Sequence, residues 1–142
     1  VSDGALLHVQ VAGRDLLLAT EDLREVVVPS RVTPIPGGPA GLLGVVVHQG
    51  EFLPVLDWKD LPGDRCPAAQ PVALAVLRPR LGLPIERLIG PVDVPAGGWL
   101  EVTEADPWHA VLGGVAEVEG RPVPLLDSDR LLALLRRSPA SR

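Results

Sequence analysis

An all-β chain folded as two small barrels, closed by one short helix, is what this sequence predicts. Three observations predict it. The pattern G-V-x4-G-x3-P-x-L-D occurs twice, at residues 44–57 and 114–127, an offset of 70 in a chain of 142 residues, and Leu61 and Leu131 extend the match. An offset that large points to two related lobes, because solenoid repeats run roughly 20–50 residues. The 15 glycines and 16 prolines cut a 46% hydrophobic sequence into strand-length pieces, since both residues favour turns. Only near the C-terminal end do leucines (131, 132, 134, 135) recur at helical spacing.

The elements follow in order. Residues 5–11 alternate imperfectly as a strand, Ala12-Gly13-Arg14-Asp15 turns, and residues 16–19 return. Thr20-Glu21-Asp22 reads as one helical turn capped by Thr20. Residues 24–28 are β-branched and strand-like. Residues 33–41 hold too many breakers for a regular element. The three valines in residues 42–47 read as a buried strand, Gln49-Gly50 as a hairpin turn, and residues 52–56 as its return. A short helical turn over 57–61 and a linker over 62–71 are expected next. The second half repeats this logic: strands at 72–77 and 81–89, the latter weakened at Pro84 as at an edge or bulge, a short strand at 91–94, and a hairpin from 111–118 to 122–126. Ser128 is expected to cap the closing helix. Two barrels suit this better than one sandwich, because closure removes exposed edges.

Composition narrows the function. A formal charge of −5 argues against nucleic acid, whose partners present a basic face. Arg136 and Arg137 form the one basic cluster, at a helix end where cations suit the dipole. No apolar run is free of breakers for a membrane span. No export signal is seen and Cys66 is the single cysteine, so the expected compartment is the cytoplasm. His8, His48 and His109 lack metal spacing. The Gly-rich stretch at 36–41 lacks the Lys-Ser/Thr of a phosphate loop. No nucleophile motif occurs. The expectation is therefore no catalytic residue, no metal and no cofactor. Asp57 and Asp127 read as caps for the turns that follow them. Trp58, Trp99 and Trp108 read as core over the lobe ends or as interface anchors. His48, beside Gln49 at a hairpin end, reads as a partner contact or a solvated turn residue.

Leu23-Arg24-Glu25-Val26, Thr33-Pro34-Ile35-Pro36-Gly37, residues 44–50 and Leu53-Pro54-Val55-Leu56-Asp57 together resemble the CheW family of chemotaxis coupling proteins. The second half is similar more loosely, at residues 81–88, at Leu112-Gly113-Gly114-Val115 and at residues 123–127. The resemblance implies one CheW-like domain over residues 1–142: two SH3-like five-stranded lobes around a shared apolar core, the boundary falling near 62–78. It implies a non-enzymatic adaptor whose partners are the regulatory domain of a CheA-type histidine kinase and the cytoplasmic tip of a chemoreceptor, without membrane insertion. Carried over by position, the receptor contacts are Leu23, Glu25, Val26 and Gln49, with Val72, Gly82 and Leu88. The chain departs from the family where its usual Arg is Gln49 and its usual Asp is Glu86; losing a bidentate guanidinium is a large chemical change. A divergent coupling protein, serving twitching motility or another chemotaxis-like pathway, fits those departures. Two further readings stay open: the regulatory domain of a larger CheA- or CheV-like protein, and a small ligand-binding or enzymatic barrel with Asp57, Glu86 and His48 in a cleft.

Overall fold

Apolar alternation is converted into strands almost wherever it occurs. The computed structural model describes residues 5–29, 31–34, 41–58, 73–78 and 80–137. Among them are β1 (Ala5–Val11), β2 (Arg14–Ala19), β3 (Leu23–Val27), β4 (Leu42–His48), β5 (Glu51–Leu56), β6 (Ala73–Leu77), β7 (Gly82–Ile85), β8 (Arg87–Asp93), β9 (Trp99–Leu100), β10 (Leu112–Val118), β11 (Arg121–Leu126) and α1 (Ser128–Arg137). The expected turn beyond Trp58, the 62–71 linker with Cys66, Val72 and residues 35–40 of the Pro/Gly loop lie outside the described residues.

The strands form two sheets, ordered β3-β6-β7-β5-β4 and β8-β1-β2-β11-β10-β9. One sheet is five-stranded as expected; the other gains a sixth strand from the two-residue β9 at its edge. The orders correspond place for place. The isolated bridge Thr33↔Val45 stands where β9 pairs Leu100 with Val115. The repeated hairpins share one register: Gly44↔Val55 to His48↔Glu51 in the first, Gly114↔Leu125 to Val118↔Arg121 in the second, each with a bulge one residue earlier. Each is joined to its sheet by one parallel contact, Val55↔Gly82 or Leu125↔Leu17.

The sheets do not part near residues 62–78. β6 and β7 pair with β3 and β5, so the chain crosses between sheets at the 3-10 turn Thr20–Asp22 and again at Glu86. Residues 81–89 are correspondingly two strands in two sheets rather than one weakened at Pro84. Pro84 pairs only with Leu74 of β6; the parallel contact to β5 reaches no further than Gly82, so Pro84 has no second strand partner that would need its missing N–H. Two caps also differ from expectation. Thr20 Oγ1 donates to the Ala5 carbonyl at 2.8 Å instead of capping its own turn. Asp127, not Ser128, caps α1 by accepting the Arg130 N–H at 3.2 Å.

The two lobes share a core. Leu17 and Ala19 of β2 pack inside the six-stranded lobe, while Leu16 and Leu18 face the space between lobes. β6 does the same from the other side: Leu74 and Val76 point into the five-stranded lobe, and Ala73, Ala75 and Leu77 face the shared cluster. A buried leucine stabilises by about 2 kcal/mol, against at most about 1 kcal/mol for an exposed ion pair; apolar burial therefore holds the lobes together. Trp58 and Trp108 stack in this shared core, centroids 5.2 Å apart and planes 5° apart. Trp58 Nε1 donates to the Pro84 carbonyl at 2.7 Å. Arg14 lies 4.8 Å over the Trp108 ring and is held by two bonds to Asp106, at 3.0 and 2.9 Å. Trp99 is half-buried against the six-stranded lobe's own cluster.

Candidate functional site

The hairpin β4–β5 turns through Gln49 and Gly50, whose φ angles are 52° and 77°. Positive φ at both positions is a type I′ turn, whose twist matches that of the strands it joins. Alternation then sorts the hairpin's side chains. Val46 and Leu53 are buried in the lobe, and their neighbours Val47 and Phe52 face outward, 63% and 73% exposed. Val47 and Phe52 are direct cross-strand partners, so they form one apolar patch. The ion pair Arg80–Glu51, at 3.2 Å, lies at the end of the same hairpin.

His48 follows Val47 and points the other way, toward the mouth of the lobe. Its Nε2 lies 2.8 Å from Glu25 Oε2. Glu25 is on β3 and His48 on β4, the two edge strands of the five-stranded sheet; their contact shows that the sheet curls back on itself. Gln49 Nε2 reaches the same carboxylate oxygen at 3.4 Å. His48 is thus no solvated turn residue: its side chain is 13% exposed.

Of the residues named from the sequence, the structure brings together Glu25, His48 and Gln49. Leu23 and Val26 share β3 with Glu25; Leu23 packs against the shared core, and Val26 is partly exposed. Gly82 is buried in β7 between β6 and β5. Leu88 is exposed, but on β8 of the other sheet. The exposed pair Val47–Phe52 was missed, although its signal was present: these residues fall out of phase with Val46 and Leu53 in a strict two-residue alternation.

The alternative trio does not converge. Glu86 Oε1 accepts the Gly13 N–H at 3.0 Å where the chain crosses from β7 to β8, His48 engages Glu25, and Asp57 is buried beside Gly41, whose carbonyl accepts its N–H at 2.9 Å. Among the described residues, surface clefts of about 380–470 Å³ are lined by Glu21, Asp127 and Arg130, by Glu104, His109 and Arg130, and by Arg14, Leu100 and Pro124.

Among the described residues, two carboxyls are held below their ordinary range, both in the six-stranded half. The hydrogen bonds from Arg14 do this for Asp106, outweighing its burial. Burial pushes Asp15 up, but Gln10, the adjacent His8 and the charge of Arg121 together pull it lower. His8 Nε2 sits 3.2 Å from Asp15 Oδ1, outside hydrogen-bonding geometry.

Two pseudo-equivalent β-lobes on a shared core, with an exposed apolar hairpin face, define a class of β-lobed protein built around surfaces. The chain belongs to the CheW-like domain family, whose model matches residues 5–136. Fifteen chains among solved structures match it. One is the scaffolding protein TtCheW from Thermoanaerobacter tengcongensis, with 17% sequence identity and a TM-score of 0.76, covering 89% of this chain and 85% of that one. At that identity the likeness is one of fold. No curated protein matches the sequence. Among the described residues, no helix is long and apolar enough to cross a membrane.

Proposed function

We propose that this chain is a non-enzymatic adaptor that couples chemoreceptors to a CheA-type histidine kinase at the cytoplasmic tips of the receptors. The observation that carries this reading is the exposed Val47–Phe52 face on a CheW-like fold. An outward apolar pair with a polar rim is what a docking surface needs and what a folded lobe alone does not. The similar fold of TtCheW, a scaffolding protein, supports it. We assign the kinase's regulatory domain to the outer faces of the lobes. The receptor is assigned to Leu23, Glu25, Val26, His48 and Gln49, and by sequence position alone to Val72 and Leu88. Gly82 is buried in β7 and is left out of this assignment.

Co-purification with the CheA-type regulatory domain of the same cell tests the reading. Binding is expected. Phe52→Glu should weaken it at least tenfold without moving the unfolding midpoint, because Phe52 is 73% exposed. Glu25→Lys should weaken ternary complexes with a receptor fragment. Failure to bind any CheA-type kinase of that cell would sink the adaptor reading.

A further inference from the structure

β3 and β4 are the two ends of the five-stranded sheet and share no ladder. A side-chain pair spans the seam between them, His48 Nε2 to Glu25 Oε2 at 2.8 Å, with side chains 13% and 36% exposed. A carboxylate only accepts, so the contact requires a proton on His48 Nε2. The second ring proton, on Nδ1, then decides whether the donor is neutral or cationic. Histidine is the side chain whose ordinary titration lies between pH 5 and 8, and a charged donor to a carboxylate makes roughly twice as strong a bond as a neutral one.

The surroundings leave this charge to His48. Among the described residues, Glu25 faces it from β3, neutral Gln49 from the turn, and Glu51 from β5, opposite in register and engaged by Arg80 at 3.2 Å. The β6 residue opposite Glu25 is apolar Val76. In the other lobe the positions 70 residues on are Val118 and Glu119, and Val118 packs on that lobe's apolar cluster.

We propose that the Glu25–His48 pair is a pH-sensitive latch on the seam of the five-stranded lobe. Protonation of His48 tightens β3 against β4, and loss of that proton loosens them. Val26 and Val47, next to the pair in sequence, are exposed, so the latch sets how firmly that face is held. It is a property of the chain itself and does not rest on which partner docks there.

The unmodified chain tests it first. In an NMR titration from pH 5 to 8.5, the backbone amides of residues 24–26 should shift with the same midpoint as the His48 imidazole, and those of residues 116–118 should not follow it. Constant β3 resonances while His48 titrates would overturn the latch. A double-mutant cycle with Glu25→Gln and His48→Gln gives a second reading. The coupling should be about threefold in the folding equilibrium at pH 5.5, within the range of partly exposed ion pairs, and should fall toward unity at pH 8.5. Equal coupling at both pH values, or none at either, also overturns it. Should a variant fail to fold, the titration of the unmodified chain decides alone.

Discussion

The hairpins β4–β5 and β10–β11 agree residue for residue in register, bulge and turn, and differ in what surrounds them. Where the first sets Val47 opposite Phe52 on the outside, the second sets Glu117 opposite Pro122. Where His48 reaches across a seam to Glu25, Val118 packs inward. The repeated glycines, prolines and aspartates fix the hairpin's shape and leave the residues between them free to diverge. One lobe can thereby become a contact surface while its twin keeps the frame.

The sharpest way to break this comparison is at the glycines that open each pattern. A Cβ on Gly44 would overlap the Thr33 carbonyl and backbone, whereas one on Gly114 would meet the ring edge of Trp99 at 3.1 Å. Backbone in a bridge cannot step aside, and a half-buried ring can give a little. Gly44→Ala should therefore cost about 3 kcal/mol and Gly114→Ala about 1 kcal/mol, within the range of overpacking. Equal losses in urea unfolding would mean that the lobes tolerate crowding alike.

Acid should separate the lobes next. Asp15 and Asp106, whose carboxyls are held below the ordinary carboxylate range, both serve the six-stranded half. A carboxyl depressed by folding contributes stability that is present above the unfolded value and is lost as pH falls through the folded one. Between pH 4 and pH 2, protection from hydrogen exchange should accordingly be lost in β10–β11 before β4–β5. Asp106→Asn should cost about 2 kcal/mol at pH 6, as for a hydrogen bond to a charged group, and should flatten the acid slope. Simultaneous loss of protection in both hairpins would show that the shared core makes them melt as one.

The smallest effect lies in the turns. Gln49 and Glu119 both hold φ near 50°, which costs an ordinary residue roughly 1 kcal/mol and asparagine less. Glu119→Asn should raise the thermal midpoint slightly. Gln49→Asn should raise it by less, because the shorter amide gives up its reach to Glu25.

Much of this was legible in the sequence, for a local reason. Gln49-Gly50 and Glu119-Gly120 announce their turns, and alternating apolar residues announce strands whose ladder partners lie across a two-residue loop. The sheet exchange was not legible. Ala73-Leu74-Ala75-Val76-Leu77 is apolar on both faces, which says that the strand is central but not which strands flank it. Pro84 suggests a bulge or edge within one strand, while the chain turns at Glu86, whose N–H donates to the Gln10 carbonyl at 2.9 Å. At the candidate site the resemblance named Glu25 and Gln49, and the residues themselves drew attention to His48. Their meeting at one carboxylate depends on the curl of a whole sheet, which no window of sequence contains.

The sheet exchange also has a consequence in time. The five-stranded sheet is made of consecutive strands, Leu23–Val27 through Gly82–Ile85, and can assemble while synthesis is still under way. The six-stranded sheet takes its middle hairpin, Ala5–Val11 with Arg14–Ala19, from the start of the chain and its other strands from beyond Glu86. Its earliest-made strands must wait for its latest, which is the slow, long-range kind of closure. A chain released after Glu86 would carry the strands of one complete sheet and one hairpin with apolar flanks and no neighbour, an exposed edge of the kind that invites aggregation.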